Sequence, residues 1–101
     1  MAWKRIQVRT IPAEGSVLFE PTTAEILSYI KTNYDDTGKR TSFSVSSSDD
    51  GLVRTYTSIF KDEASKNKFL ADSTIKTEST RRNTINASNG IVKEVTVDEE
   101  V

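Results

Sequence analysis

Hydrophobic and polar positions alternate at the start of the chain. Across positions 3–11, WKRIQVRTI, Ile6, Val8 and Thr10 take one face, and Trp3, Arg5, Gln7, Arg9 and Ile11 take the other. This predicts a strand with its apolar face on the core and a polar face carrying two arginines. A connector runs from Pro12 to Pro21 with Gly15 near its middle. Val17, Leu18 and Phe19 make it too apolar for a free loop, so it is expected to dock on the domain or on a partner.

The period then lengthens. Ile26, Leu27, Ile30 and Tyr34 fall at helical spacing, and Thr22 with Glu25 has the spacing of a capping box with Thr22 as N-cap. Gly38 follows Asp35-Asp36 as a helix stop. Alternation returns in positions 40–60, where two β-branched and aromatic runs flank Asp49-Asp50-Gly51. Asp-Gly is a strong hairpin signal, because glycine accepts the positive φ that tight turns require. Phe43 and Val45 share a face in the first run, opposite Ser42, Ser44 and Ser46. In the second, Leu52, Tyr56 and Phe60 share a face with Arg54 and Ser58, while Val53 and Ile59 lie opposite with Thr55 and Thr57. Both faces of the second run are partly apolar, which predicts a strand covered on both sides.

A second helical region opens at Asp62, the expected N-cap, with Glu63 in its first turn. Asp72-Ser73-Thr74 reads as a break, and the polar segment from Ile75 to Ser88 as a surface helix stopped by Asn89-Gly90. Positions 91–97, IVKEVTV, form the last predicted strand, with Ile91, Val95 and Val97 on a face with Lys93. Asp98-Glu99-Glu100 is expected to be a solvated acidic tail.

The order strand, helix, strand, strand, helix, strand resembles the split βαβ arrangement of ferredoxin-like domains. The resemblance is one of element order and covers residues 1–101 as a single α+β domain. Right-handed crossovers place both helices on one face of an antiparallel four-stranded sheet. The second face is then left for a partner, as in dimeric α/β barrels.

Composition narrows the chemistry. The 101 residues contain no histidine and no cysteine, which removes the commonest general base, the commonest zinc ligand and all thiolate chemistry. The Asp35-Asp36 and Asp49-Asp50 pairs lack calcium-loop spacing and sit where turns need aspartate. No metal, cofactor or catalytic residue is assigned. Net charge is −1, from 14 basic and 15 acidic residues, so no global field favours nucleic acid or an anionic membrane. Arg81-Arg82 with Lys76 is a local basic concentration without the interleaved aromatics that stack on single strands. The first residues lack the apolar segment of a signal peptide and no run approaches a membrane span, so a cytoplasmic setting is expected. Serine and threonine together number 25, a hydroxyl richness common in phage virion proteins.

Two function classes follow. The first is a non-enzymatic, homo-oligomeric interaction domain, such as a phage or virus accessory protein. Trp3, Val17, Leu18, Phe19, Val53 and Ile59 are its candidate interface residues. The second is a small dimeric α/β-barrel enzyme or binding protein for an anionic ligand. Arg5, Arg9, Arg54, Tyr56 and Glu94 on the polar sheet face are its candidate site, because guanidinium groups with hydroxyls hold carboxylates or phosphates.

Overall fold

A computed structural model describes residues 1–12 and 19–101. The connector positions Val17 and Leu18 lie outside the described residues. The chain is α+β. Strands β1 (Trp3–Thr10), β2 (Arg40–Ser47), β3 (Val53–Phe60) and β4 (Val92–Glu100) form one antiparallel sheet in the order β2-β3-β1-β4. Helices α1 (Ala24–Ile30), α2 (Glu63–Ala71) and α3 (Ser73–Ser88) all contribute to one side of it. Among the described residues, no helix is long and apolar enough to cross a membrane.

Local signals act much as their chemistry dictates. Asp62 caps α2 by accepting from Ser65 N–H at 2.8 Å. Asp72 ends α2 and caps α3 through the N–H groups of Thr74 and Ile75, so the segment is two helices. Gly51 has φ +73° in the hairpin connection, where Gly51 N–H reaches Ser48 O at 2.9 Å. The Asp50 carboxylate holds that turn by accepting from Ser48 Oγ and Leu52 N–H.

The start of α1 departs from expectation by one residue. Thr23, not Thr22, is the N-cap, accepting from Ile26 N–H. Its own N–H is satisfied by the Glu78 carboxylate at 2.9 Å, so an acid from α3 does what Glu25 was expected to do. The helix runs on as a π-helical turn, Lys31–Asp35, and the two aspartates that follow its axis bind cations: Asp35 takes Arg40 in a two-pronged pair at 2.7 and 2.9 Å, and Asp36 takes Lys31.

The faces of β1 are reversed from the sequence expectation. Trp3, Arg5, Gln7 and Arg9 lie beneath the helices, in register with Phe60, Ser58, Tyr56 and Arg54 of β3. Ile6 and Val8 share the open face with Thr57, Thr55, Val53 and Ile59. The reason lies in the helices. Alongside apolar residues, their inner surfaces bury Ser65, Glu78 and Asn86, and α3 supplies Asn83 as an acceptor for Arg9. In the sheet β1 and β3 are the inner strands, and β2 is an edge.

The last strand is longer than predicted. A bulge displaces the register so that Val95 pairs with Gln7 under the helices while Val97 pairs with Ile6 on the open face. Beyond it the expected acidic tail is strand. Asp98 accepts from Trp3 Nε1 and lies 3.8 Å from both Arg5 Nε and Lys66 Nζ, and Lys66 stacks over the Trp3 ring at 4.6 Å.

The apolar core is divided between the two ends of the sheet. At one end Tyr34, Phe60 and Phe69 meet edge to face, with centroids 5.0 and 5.3 Å apart. At the other, Ile11, Phe19 and Ile91 pack with Leu52. Phe19 thus docks the connector onto its own domain. Between these plugs lies a hollow whose sheet side is polar and whose helix side carries Ile26, Ile30 and the buried Ile75.

Candidate functional site

A cavity of about 410 Å³ lies between the sheet and the helices, within the size range of small-molecule sites. Its floor is the polar face of β1 and β3: Arg5, Gln7, Arg9, Tyr56 and Ser58. These side chains arrive there because strand residues two apart point the same way. Arg82 and Glu78 enter from α3, four residues apart on one helical face.

The electrostatics are uneven. Arg9 stands in register with Lys93 of β4 on one side and Arg54 of β3 on the other, so three cations lie abreast across three strands. Like charges directly opposite in a sheet repel. Arg9 is 2% exposed. It donates to Asn83 Oδ1 at 2.9 Å and its guanidinium lies 5.9 Å from the Tyr56 ring centroid. Among the described residues, no carboxylate lies within ion-pair distance of Arg9, Arg54, Arg82 or Lys93. The Nε atoms of Arg5, Arg9 and Arg54 are buried and have no hydrogen-bond partner among the described residues.

The titration behaviour follows from this crowding. Burial, then Arg82, pushes the Arg9 guanidinium below its ordinary range, with Tyr56 acting weakly the other way. Desolvation against the sheet, then Arg9, Arg5 and Arg82, pushes the Lys93 ammonium down, although the side chain remains exposed. A buried cation without a counter-charge costs several kcal/mol. A negative oxygen set among these groups would remove the repulsion and supply the missing acceptors.

Other charges near the cavity are already matched. Arg40 is held by Asp35 and lies 4.3 Å over the Phe43 ring. Arg81 is bound by Glu78 and Glu20 and donates to Pro21 O, which fastens the end of the connector to α3. Arg82 Nε reaches Glu20 O at 3.3 Å, and the buried Asn86 accepts from Glu20 N–H. The two arginines are therefore not equivalent: Arg81 anchors the connector to α3 and Arg82 lines the cavity.

Of the five candidate ligand residues, Arg5, Arg9 and Tyr56 line the cavity together. Arg54 adjoins Arg9 and stacks over Phe19 at 4.5 Å. Glu94 is in register with Val8 and so lies on the opposite face of the sheet. Of the candidate interface residues, Val53 and Ile59 are half-buried on the open face, and Phe19 is buried inside the domain. Trp3 is engaged with Asp98 and Lys66.

Gln7 and Arg82 line the cavity and the exposed Lys93 stands in register with Arg9 beside it, but none of the three stands out in the sequence as a site residue. Lys93 had a legible signal: it is the one charge on the otherwise apolar face of IVKEVTV. Comparison of the chain with protein-family models, with curated proteins and with solved structures finds no match.

Proposed function

We propose that this domain binds a small organic anion in the cavity between its sheet and its helices, and that it does so as a ferredoxin-like βαββαβ unit. The element order, with β1 and β3 as inner strands and β2 and β4 as edges, supports the fold assignment. The observation that carries the functional reading is Arg9, buried on the cavity floor between Arg54 and Lys93 with no carboxylate partner among the described residues. Gln7, Ser58 and Tyr56 add neutral polar groups beside it. This is an arrangement for holding charge and orienting an acceptor; binding, rather than turnover, is the activity it supports.

The test separates a ligand group from a structural one. Arg9→Met removes the buried charge and keeps much of its length. It is expected to raise the thermal midpoint, because a repelled cation is replaced by apolar packing. It is also expected to weaken binding of carboxylate and phosphate compounds at least tenfold, read by calorimetry. A lower midpoint with unchanged anion binding would show that Arg9 serves the fold instead.

A second reading has its own observation. The open face of the sheet carries Ile6, Val8, Val53, Ile59 and Val97 in adjacent strands, and no helix among the described residues covers it. A two-fold pairing of two such faces would bury these residues, in the manner of a dimeric α/β barrel. Sedimentation at micromolar concentration is expected to give a dimer that Val53→Glu dissociates. A monomer at every concentration tested removes this reading and leaves the cavity proposal untouched.

A further inference from the structure

The cavity is unsatisfied in two chemistries, and they lie at opposite ends. Its basic end is set by Arg9, which reaches Asn83 near the close of α3, and by Arg82, with the exposed Lys93 in register with Arg9 on the neighbouring strand. Its other end approaches Phe60 and Phe69, six strand residues away along β1 from Arg9 to Trp3, the register partner of Phe60. At about 3.3 Å per residue that separation is roughly 20 Å. Along this length one wall is helix α1.

Helix α1 buries none of its residues. Yet Ile26, Leu27 and Ile30 are the apolar stripe that the chain directs into the cavity. Leu27 remains 54% exposed. Across from it, Phe43 of β2 also lines the cavity and is 45% exposed. An amphipathic helix ordinarily covers its apolar stripe against the core. Here the stripe faces open space whose far end is lined by Arg9 and Arg82, which have no carboxylate within ion-pair distance among the described residues.

Resting on the anion-binding reading above, we infer that the ligand is amphipathic: an oxyanion head, carboxylate or phosphate, joined to an unbranched or flat apolar body. The head sits between Arg9 and Arg82 and accepts from Tyr56. The apolar body lies along Ile26, Leu27 and Ile30 and under Phe43. A small bare anion would fill the basic end and leave α1 uncovered; an uncharged hydrocarbon would cover α1 and leave the repulsion among the cations. A molecule with both parts answers both.

Calorimetric titration of the intact protein with straight-chain carboxylates from acetate to decanoate, below their aggregation concentrations, tests this. Affinity is expected to rise about fourfold for each methylene that enters the cavity, then level off. The matching alkyl phosphates distinguish the head: a steeper salt dependence and tighter binding mark phosphate, and equal binding marks a site that reads charge alone. Both support an amphipathic anion. Phe43→Ser, at a half-exposed position, is expected to flatten the chain-length dependence. Binding of acetate with no gain from added methylenes overturns this inference and spares the anion site. Alcohols binding as well as carboxylates of equal length, or no binding of either anion series, overturns the anion site itself.

Discussion

Replacing Asp72 with Ala is expected to lower folding stability by about 3 kcal/mol, the largest loss from any single side chain outside the apolar clusters. One carboxylate does three things here. It caps α3 at the N–H groups of Thr74 and Ile75, a role worth ~1 kcal/mol. It accepts from Tyr34 Oη at 2.6 Å and from Tyr29 Oη at 2.8 Å. Tyr34 is 1% exposed, so its hydroxyl would lose its charged acceptor inside the protein, a loss of roughly 1.5–3 kcal/mol. The tyrosines and the carboxylate record this coupling in opposite directions. Burial, then Asp72, drives the Tyr34 phenol upward. Burial alone would raise the Asp72 carboxyl, but the hydrogen bonds from Tyr34, Tyr29 and the two N–H groups outweigh it and hold it below the usual range. Asp72→Asn keeps the cap and an acceptor, so it is expected to recover at least half of the loss. Denaturant midpoints measure both variants. A change of less than ~0.5 kcal/mol for Asp72→Ala would mean that the α2–α3 junction does not depend on this side chain.

The second large effect is in acid. The Arg81 guanidinium, against the opposing effect of burial and with help from Thr23 N–H, holds the Glu78 carboxyl down at about 2. Its ordinary value is 4.5. A depressed folded-state value means that the folded protein binds this proton less readily than the unfolded chain. The stabilisation is therefore complete above about pH 4.5 and is lost as pH falls toward 2. Glu78 is 7% exposed, but its partner Arg81 is 37% exposed and partly screened. The full shift, at 1.36 kcal/mol per pH unit, is thus discounted to about 2–3 kcal/mol. Asp72, Asp62 and Asp50 are held low as well and act with the same sign. Glu78→Gln is expected to lose most of this contribution at neutral pH and to show a shallower decline between pH 4.5 and 2. Equal slopes for both proteins over that window would assign the acid transition to other groups.

The features legible in the sequence were those decided within a few residues. Asp62 caps because a carboxylate three positions before Ser65 can reach its N–H. Asp72 divides two helices for the same reason, and Gly51 turns because only a residue without Cβ takes its φ freely. Element order followed from such signals. The orientation of β1 did not. Alternation separates Ile6 and Val8 from Arg5 and Arg9, but which set meets the helices depends on what the helices offer. Their offering, Glu78, Asn83 and Asn86, is ordinary in a polar helix until the fold turns it inward. Asp98–Glu100 is exposed, as expected of an acidic run, but its extension of β4 and the partners of Asp98 were not legible. Those partners, Trp3, Arg5 and Lys66, are distant in sequence. The cavity was half legible: Arg5, Arg9 and Tyr56 were on one predicted face, whereas Lys93 joins Arg9 only through a register that a bulge has shifted.

Trp3, the chain's single tryptophan, has a consequence of another kind. Its ring lies on β1 in register with Glu100, bonded to Asp98 and covered by Lys66. Indole emission responds to nearby charge and to water, and here both are set by the meeting of strands from distant parts of the sequence. The β2–β3 hairpin can close without altering that environment; docking of β4 cannot. The protein carries its own optical label where positions 3, 60 and 100 come together, and a fluorescence trace follows the docking of β1 with β3, β4 and α2 rather than the closing of the hairpin by itself.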